Sequence, residues 1–355
     1  MSSTNKSQTG INQIYEYLCV DEFIDNFINA QSLKTALAIG LIDYLQQSQF
    51  CDVDTLTREL RSDRLGLELL LDMLLANQVI TEKNSEISLS EKFLIALQYR
   101  DLLETKLNFA NLVAPDFVNL LTFFINKPSQ FMERSQIFDM FGYHRCFDYT
   151  PENYELTKRW MKITTVLTKY EAQVCLEHHD FSQYQKILDI GGNSGEFARQ
   201  ICAKHSNILA TVFDLPLVCH IGEEYISSQP ECQRINFIKG NAMTDNLPRG
   251  YDLVSFKSML HDWPENIACQ FINKAVKSLN PGGTLLIFER SPIELVGQVL
   301  SYSMLPMVLF FRSFRSPLVY ESQLLADGLQ NIHIESINLE MPFFLITAKK
   351  KNSEI

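Results

Sequence analysis

The sequence lacks the patterns that indicate metal sites, disulfide frameworks or nucleic-acid binding. Its eight cysteines include no CxxC pair and its seven histidines no HExxH motif, so the cysteines are interpreted as small buried apolar residues. The formal net charge is −11, and apart from residues 349–351 no cluster of lysine and arginine stands out. Phosphate binding depends on such clusters, so nucleic acid is not an expected partner.

Long apolar segments are also missing. The nearest candidate, residues 304–311, is far shorter than the roughly 18 residues of a membrane span. The polar N-terminus contains no apolar stretch of signal-peptide length, which predicts a cytoplasmic protein without a membrane partner. A hydrophobic fraction of 46% in 355 residues predicts a globular chain with two domains, or one domain with a large helical addition.

The first hundred residues have apolar positions at helical spacing. Residues 14–45 form one such segment, and two further helices are predicted, one starting at Asp54 or Thr55 and one capped by Ser62-Asp63. The following stretch, TEKNSEISLSEKFLIAL, predicts a small hairpin and another helix. This order is the outline of a winged helix.

A winged helix often binds DNA, but the second long helix is apolar on too many sides to lie in a groove. Its apolar residues are Leu67, Leu69, Leu70, Leu71, Met73, Leu74 and Leu75. Together with the acidic total charge, they favour burial in a protein interface. A DNA-binding regulator is the alternative, and binding that survives physiological salt would support it.

Beyond this part, residues 106–182 predict Phe- and Leu-rich helices, and strands alternate with helices from residue 183 onward. The strand-like runs are KILDIGG, ILATVFDL, INFIKGN, YDLVSFKSML and GTLLIFERS, followed by NIHIESINL and PFFLITAKKK. The alternation predicts an α/β fold whose parallel sheet is covered by helices on both faces, with a hairpin at one edge. We therefore divide the chain into residues 1–105, 106–182 and 183–355.

A glycine-rich turn follows the first of these strands. Gly191, Gly192 and Gly195 permit a tight turn before a helix N-terminus, where a ligand can approach the backbone. Asp214 ends the next strand and could accept hydrogen bonds from ribose hydroxyls. Asp189 would repel a pyrophosphate but could orient a cationic amino group. The loop suits an adenosine ligand without phosphates, although a plain strand-to-helix turn remains possible.

Four motifs, DIGGNSG, VFDLP, HDWPE and LNPGGTLLIFER, together resemble the class I S-adenosylmethionine (SAM)-dependent O-methyltransferases of the caffeate and acetylserotonin type. The resemblance covers most of the chain. It implies a Rossmann-like, doubly wound, seven-stranded sheet, a winged-helix-like dimerisation domain, a homodimer, a helical roof over the pocket and SAM as cofactor. The residues that it assigns to the cofactor are Asp189, Gly191, Gly192, Gly195, Asp214, Leu215, Asn241, Ala242, Met243 and Lys257. Asn193 replaces the third loop glycine of the family, and Gly-Asn-Ala-Met replaces its usual Gly-Asp-Phe-Phe.

The segment FKSMLHDWPE contains the candidate base. Asp262, Pro264 and Glu265 form a helix-start pattern in which Asp262 and Glu265 make a capping box. That pattern does not explain His261, which follows the fourth strand at the edge where open sheets bind ligands. An imidazole there could remove a hydroxyl proton at neutral pH.

Two glutamates could orient this base. By pattern alone, Glu289 is a strand-end acid and Glu321 a helix-surface residue. The resemblance instead implies that both bracket His261 as catalytic residues.

Apolar residues around the predicted roof are candidates for the acceptor pocket, although helix core is an equally good interpretation of them. They are Trp160, Met161, Met304, Met307, Phe310 and Phe311. Such residues suit a flat, aromatic or polyketide-like small molecule. Methylation at oxygen is the principal hypothesis; methylation at carbon or nitrogen, or a SAM-binding enzyme that catalyses rearrangement or hydroxylation, are the alternatives.

Overall fold

A computed structural model describes residues 15–293, 297 and 299–352. Ile14, where the first predicted helical segment begins, lies outside the described residues. Up to residue 178 the described chain is helical apart from one hairpin. Its helices are α1 (Phe27–Ala38), α2 (Leu41–Ser48), α3 (Val53–Glu59), α4 (Arg64–Ala76), α5 (Glu91–Ala96), α6 (Arg100–Asn126), α7 (Pro128–Arg134), α8 (Gln136–Met140) and α9 (Pro151–His178), with 3-10 turns at Glu16–Ile24, Leu97–Tyr99 and Tyr143–Phe147.

Side-chain caps decide where the early helices begin. The Asp63 carboxylate accepts the N–H of Gly66 at 2.8 Å, which confirms the predicted start of α4. The predicted start of α3 at Asp54 or Thr55 is wrong, because Asp52 caps this helix by accepting the N–H of Thr55 at 2.8 Å. Two aspartates two residues apart can each serve as a cap, and the earlier one does so here.

The predicted hairpin is confirmed as β1 (Ile80–Lys83) and β2 (Glu86–Leu89), which pair antiparallel. Beside it, α4 buries Leu67, Leu70, Leu71 and Leu74 in the core of the N-terminal domain, whereas Leu69 is 61% exposed. The apolar surface of α4 is therefore mostly internal, with an exposed remainder.

From residue 186 onward the chain forms one seven-stranded sheet with helices. The strands are β3 (Lys186–Ile190), β4 (Leu209–Asp214), β5 (Ile235–Lys239), β6 (Tyr251–Lys257), β7 (Leu279–Arg290), β8 (Gln330–Asn338) and β9 (Pro342–Lys349). The helices are α10 (Glu196–Lys204), α11 (Pro216–Ser227), α12 (Glu265–Ser278), α13 (Leu305–Leu309) and α14 (Pro317–Ala326), with 3-10 turns at Cys232–Arg234, Leu260–Asp262 and Tyr302–Met304.

The strand order is β5-β4-β3-β6-β7-β9-β8. The pairs among β3 to β7 are parallel, and β9 lies antiparallel to both β7 and β8. This confirms the predicted doubly wound sheet with an antiparallel hairpin at one edge. Strand order reverses between β3 and β6, and in such sheets ligands bind beyond the carboxyl ends of the strands at that point.

Two long helices, α6 and α9, connect the N-terminal domain to the sheet and roof its carboxyl edge. Phe109 of α6 and Trp160 of α9 share a hydrophobic core with Leu217 of α11 and Val308 of α13. By length and composition alone, Glu91–Asn126 could cross a membrane; 28% of its most apolar window is buried inside the protein.

Candidate active site

A cavity of about 360 Å³ lies between the carboxyl edge of the sheet and the roof helices. Gly191, Asp214 and Lys257 line it from the sheet, and Phe141 and Trp160 line it from the roof. The cavity therefore has one polar wall and one aromatic wall.

His261 lies on this cavity in the 3-10 turn directly after β6. Its Nδ1 is 2.8 Å from Oε1 of Glu289, which ends β7 and is 1% exposed, and its Nε2 is 3.3 Å from Oδ1 of Asp262. Burial lowers the pKa of His261, but the two carboxylates outweigh this and raise it above its usual value. Burial raises the pKa of Glu289, but the His261 charge and hydrogen bonds outweigh this and lower it.

The capping-box prediction for Asp262 and Glu265 is wrong. Helix α12 begins at Glu265, Pro264 directly precedes it, and no side chain caps its first turn. Asp262 is the last residue of the 3-10 turn Leu260–Asp262, and the extended residue Trp263 and Pro264 come between it and this helix. The Asp262 carboxylate instead accepts the hydroxyl proton of Tyr143 at 2.7 Å, so Asp262 belongs to the site, and burial raises its pKa.

The glycine-rich turn adopts backbone conformations that ordinary side chains avoid. Gly191 has φ +68°, and a Cβ there would lie 2.4 Å from the Met259 side chain. Asn193 has φ +56°, which asparagine tolerates better than most residues. This explains how an asparagine can replace the loop glycine without changing the turn. The backbone N–H groups of Asn193 and Leu215 both donate to the Asp214 carboxylate, at 2.8 and 2.7 Å.

Three residues that were predicted to bind the cofactor, Asp189, Gly192 and Gly195, do not line the cavity. They lie beneath the surface of the loop. Asp189 is buried; its Oδ1 accepts the Ser255 hydroxyl at 2.8 Å, while Oδ2 has no partner among the described residues. A Cβ on Gly192 would approach that Oδ2 to 2.5 Å, and Gly195 precedes α10 with φ +79°. Burial raises the pKa of Asp189 to about 7 and that of Asp214 to about 6.

Lys257 lines the cavity but already has protein partners. Its ammonium group forms an ion pair with Glu171 and donates to the Thr168 hydroxyl at 2.9 Å. Glu171 also pairs with Arg290, whose guanidinium donates to Ser258 at 3.0 Å. The side chains of Lys257, Arg290 and Glu171 are buried and paired with one another, so a cofactor contact by Lys257 remains a prediction.

The adenine end of the predicted site is only partly on the cavity. Leu215, Asn241 and Ala242 line it, whereas Met243 does not and is 43% exposed. The Asn241 side chain accepts the N–H of Met243 at 3.0 Å, and the N–H of Asn241 donates to Asp245 at 2.8 Å.

Half of the predicted acceptor residues line the cavity. Trp160, Met307 and Phe310 do so; Met161, Met304 and Phe311 do not. Adjacent helical residues face different directions, and pattern alone did not show which face of each helix points inward. Sequence reasoning missed further aromatic lining residues, namely Phe109, Phe138, Phe141, Tyr143 and Phe314, whose only sequence signal is that of apolar helix.

Glu321 lies on α14 and does not line the cavity. Among the described residues between β7 and α14, Phe314 contacts His261. The centre of its ring is 5.4 Å from that of the imidazole. The structure therefore places Glu289 and Asp262, and not Glu321, beside the histidine.

Comparison with known proteins identifies the family of the chain. A family model described as the O-methyltransferase domain matches residues 128–307, and one described as the O-methyltransferase dimerisation domain matches residues 21–93. The chain belongs to the O-methyltransferase family. The family resemblance of the four motifs is thereby confirmed.

The relatives of this chain include bacterial and human O-methyltransferases. It is 34% identical over 110 residues to 3-hydroxy-5-methyl-1-naphthoate 3-O-methyltransferase of Streptomyces sahachiroi; this match spans 31% of the chain but only 32% of the relative. It is 24% identical over 295 residues to human acetylserotonin O-methyltransferase, covering 79% of the chain and 82% of the relative. The solved structure of human N-acetylserotonin methyltransferase in complex with SAM superposes with TM-score 0.65 at 19% identity, over 97% of this chain and all of that one. At this identity the superposition confirms the fold.

Proposed function

We propose that the protein is a SAM-dependent methyltransferase that methylates an oxygen of a small aromatic or polyketide-like acceptor, with His261 as general base. The observation that carries the proposal is the juxtaposition in one cavity of His261, held 2.8 Å from Glu289, with Asp214 on one side and aromatic rings on the other. Family membership supports the same conclusion.

The polar wall fits the cofactor. Asp214 ends β4 where a ribose would lie, Leu215 offers an apolar contact for adenine, and Gly191 exposes backbone to the methionine part. The Oδ2 of Asp189, buried beneath the loop, has no partner among the described residues, and negative charge on this carboxylate would favour a cationic group on the other side of the glycine turn. When bound, SAM would supply an electrophilic methyl group.

His261 is suited to accept the proton of the acceptor hydroxyl. Because the ionised Glu289 can only accept a hydrogen bond, Nδ1 carries the ring proton and Nε2 is left as the basic nitrogen. Glu289 also stabilises the imidazolium that forms. A positioned base typically contributes about 10² to 10⁴ in rate, and the alignment of acceptor and methyl group contributes further.

The aromatic wall supports a flat, apolar acceptor. Phe138 and Phe310 meet edge to face at 5.6 Å, and Phe141 lies 5.9 Å from Trp160 and 6.1 Å from Phe310. Interlocked rings form a rigid surface against which another ring can stack or pack edge-on.

We further propose a homodimer formed through residues 1–105, with residues 106–182 as roof and 183–355 as catalytic domain. The match of residues 21–93 to a dimerisation domain supports this assembly. So does the exposure of apolar side chains on the N-terminal domain, with Leu65 at 75% and Phe27 at 56%, because exposed apolar surface favours association.

Incubation with SAM carrying a deuterated methyl group and a panel of aromatic and polyketide acceptors tests the proposal. Mass spectrometry should show transfer of the labelled methyl to oxygen with stoichiometric S-adenosylhomocysteine (SAH), and His261→Gln should lower kcat roughly hundredfold or more while SAH still binds. If the turnover of His261→Gln stays within a few-fold of wild type, His261 is not the general base. A label on carbon or nitrogen would identify those variants, and a product altered without the label would identify a rearrangement or hydroxylation.

A further inference from the structure

Two carboxylates flank the imidazole of His261, and they approach it unequally. Glu289 contacts Nδ1 at 2.8 Å, whereas Asp262 is 3.3 Å from Nε2. A charge-assisted hydrogen bond between a cationic nitrogen and a carboxylate is usually about 2.7 to 2.9 Å long. The contact with Asp262 is therefore incomplete, although the two residues are adjacent in sequence.

The other oxygen of Asp262 has a short hydrogen bond. Oδ2 accepts the Tyr143 hydroxyl at 2.7 Å. The ring of Tyr143 stacks on Trp263 with centres 6.0 Å apart and meets Trp160 edge to face at 5.8 Å. Because two tryptophans contact this ring, the phenol donor has a fixed position. The Asp262 carboxylate must therefore lie close to the phenol to accept its hydrogen bond.

The hydrogen bond also joins two parts of the fold. Tyr143 opens the 3-10 turn Tyr143–Phe147 between roof helices α8 and α9, whereas Asp262 and His261 follow β6 of the sheet. The roof thus sets the position of a carboxylate on the turn that carries the base.

We propose that Tyr143 is a positioning residue whose hydroxyl holds Asp262 away from Nε2 of His261 and keeps that nitrogen available to the acceptor hydroxyl. The inference rests on the proposed role of His261 as general base. It deepens that role by naming what prevents the neighbouring carboxylate from occupying the basic nitrogen.

The charges around the two groups define what loss of the hydroxyl should do. His261 faces Glu289, Asp262 and Arg290, besides the apolar ring of Phe314. Tyr143 faces Asp262, Asp214 and Cys146, and burial raises its pKa well above the usual value, so the phenol stays protonated. Without this donor, the nearest cationic partner for the freed oxygen is Nε2. Asp262 would then move closer to the imidazolium and stabilise it. A smaller fraction of His261 would be in the neutral form that acts as a base.

Tyr143→Phe removes the hydroxyl and keeps the ring. We expect nitrogen-15 NMR titration of the full-length protein without ligand, with His261 assigned by loss of its signals in His261→Gln, to show the His261 pKa rising by about half a unit or more. In the methyl-transfer assay, kcat at neutral pH should fall by up to about threefold for each half unit of pKa rise and recover in part as pH rises, with the SAM KM unchanged. An unchanged or lowered His261 pKa overturns the proposal.

Three variants complete the test. In an Asp262→Asn background, Tyr143→Phe should have no further effect on the His261 pKa; a full effect there would show that the hydroxyl acts by another route. Tyr143→Leu is a second hydroxyl-free variant if the phenylalanine form does not fold. Tyr99→Phe is the matched control, since its phenol donates to Glu16 at 2.6 Å in the N-terminal domain, and it should leave the titration unchanged. The NMR readout needs no acceptor, so an absence of methyl transfer would count against the proposed function alone.

Discussion

The two walls of the cavity differ in how they are built. The sheet wall consists of residues at the ends of consecutive parallel strands, such as Asp214 and Glu289, and of the turns that follow them. The roof wall consists of aromatic residues from separate helices, such as Phe109 on α6 and Trp160 on α9. Most charged groups of the cavity lie on the sheet wall, although Glu171 lies on α9, and the roof wall contributes mainly aromatic rings.

This difference predicts which residues determine the chemical step and which determine the choice of acceptor. Variants of the sheet wall should alter cofactor affinity or the chemical step. Variants of the roof should alter recognition of the acceptor. His261 lies where the walls meet, because Glu289 reaches it from the sheet and Tyr143 reaches its neighbour Asp262 from the roof.

The largest effect should come from Glu289→Gln. The neutral amide cannot stabilise the imidazolium, so we expect kcat to fall roughly hundredfold or more while SAH affinity is retained. The proposed base acts in its neutral form, and the pKa of His261 is raised, so the wild-type rate should increase as pH rises through a value above 6.5. Since Glu289 raises that pKa, the acidic limb of the pH–rate profile should move to lower pH in the variant. A limb that stays in place would show that Glu289 does not act on the base.

The second effect concerns cofactor affinity. Asp214→Asn leaves one acceptor oxygen where two backbone N–H groups now donate, and it removes the charge that we propose faces the ribose. We expect calorimetry to show SAH affinity reduced roughly tenfold to hundredfold, with kcat at saturating SAM largely preserved.

Asp252→Asn is the matched control for that measurement. Its carboxylate also accepts two backbone N–H groups, from Gln185 and Lys186, but next to the opposite ends of the strands. Equal losses of SAH affinity in the two variants would mean that Asp214 acts only through the stability of the sheet.

A smaller effect is expected on the roof wall. Phe310→Ala should raise the KM for an aromatic acceptor roughly tenfold through lost apolar contact, while SAH affinity stays unchanged in calorimetry. Phe311→Ala serves as the control, because Phe311 packs on Phe124 at 5.5 Å and does not line the cavity. If the Phe311 variant has the larger effect on KM, the roof wall has been assigned to the wrong residues.

The smallest effect should be that of Glu321→Gln. This side chain is off the cavity, so kcat and KM should change by no more than about twofold, as is usual for substitutions away from a site. A loss of kcat comparable to that of Glu289→Gln would restore the predicted role of Glu321.

Strand-borne features were predictable because each depends on a few neighbouring residues. Asp214 and Glu289 end apolar runs, and Gly191 occupies a turn that needs φ > 0, so local sequence was sufficient to place them. Asp262 was misinterpreted for the same reason: an aspartate three residues before a glutamate predicts a cap, and nothing local reveals the additional 3-10 turn. Local sequence could not show that Phe314, and not Glu321, contacts His261, because the distances of both residues from His261 depend on how the chain between β7 and α14 packs.

By itself, the sequence determined the order of elements, the parallel sheet covered by helices, the glycine turn and the histidine at the strand edge, because periodicity and turn chemistry are local properties. Only the tertiary structure decided which faces of α9 and α13 line the cavity and that Lys257 pairs with Glu171. It also decided that Tyr143, 119 residues from Asp262 in the chain, donates to it. These contacts join distant segments, and their geometry depends on the packing of whole helices against the sheet.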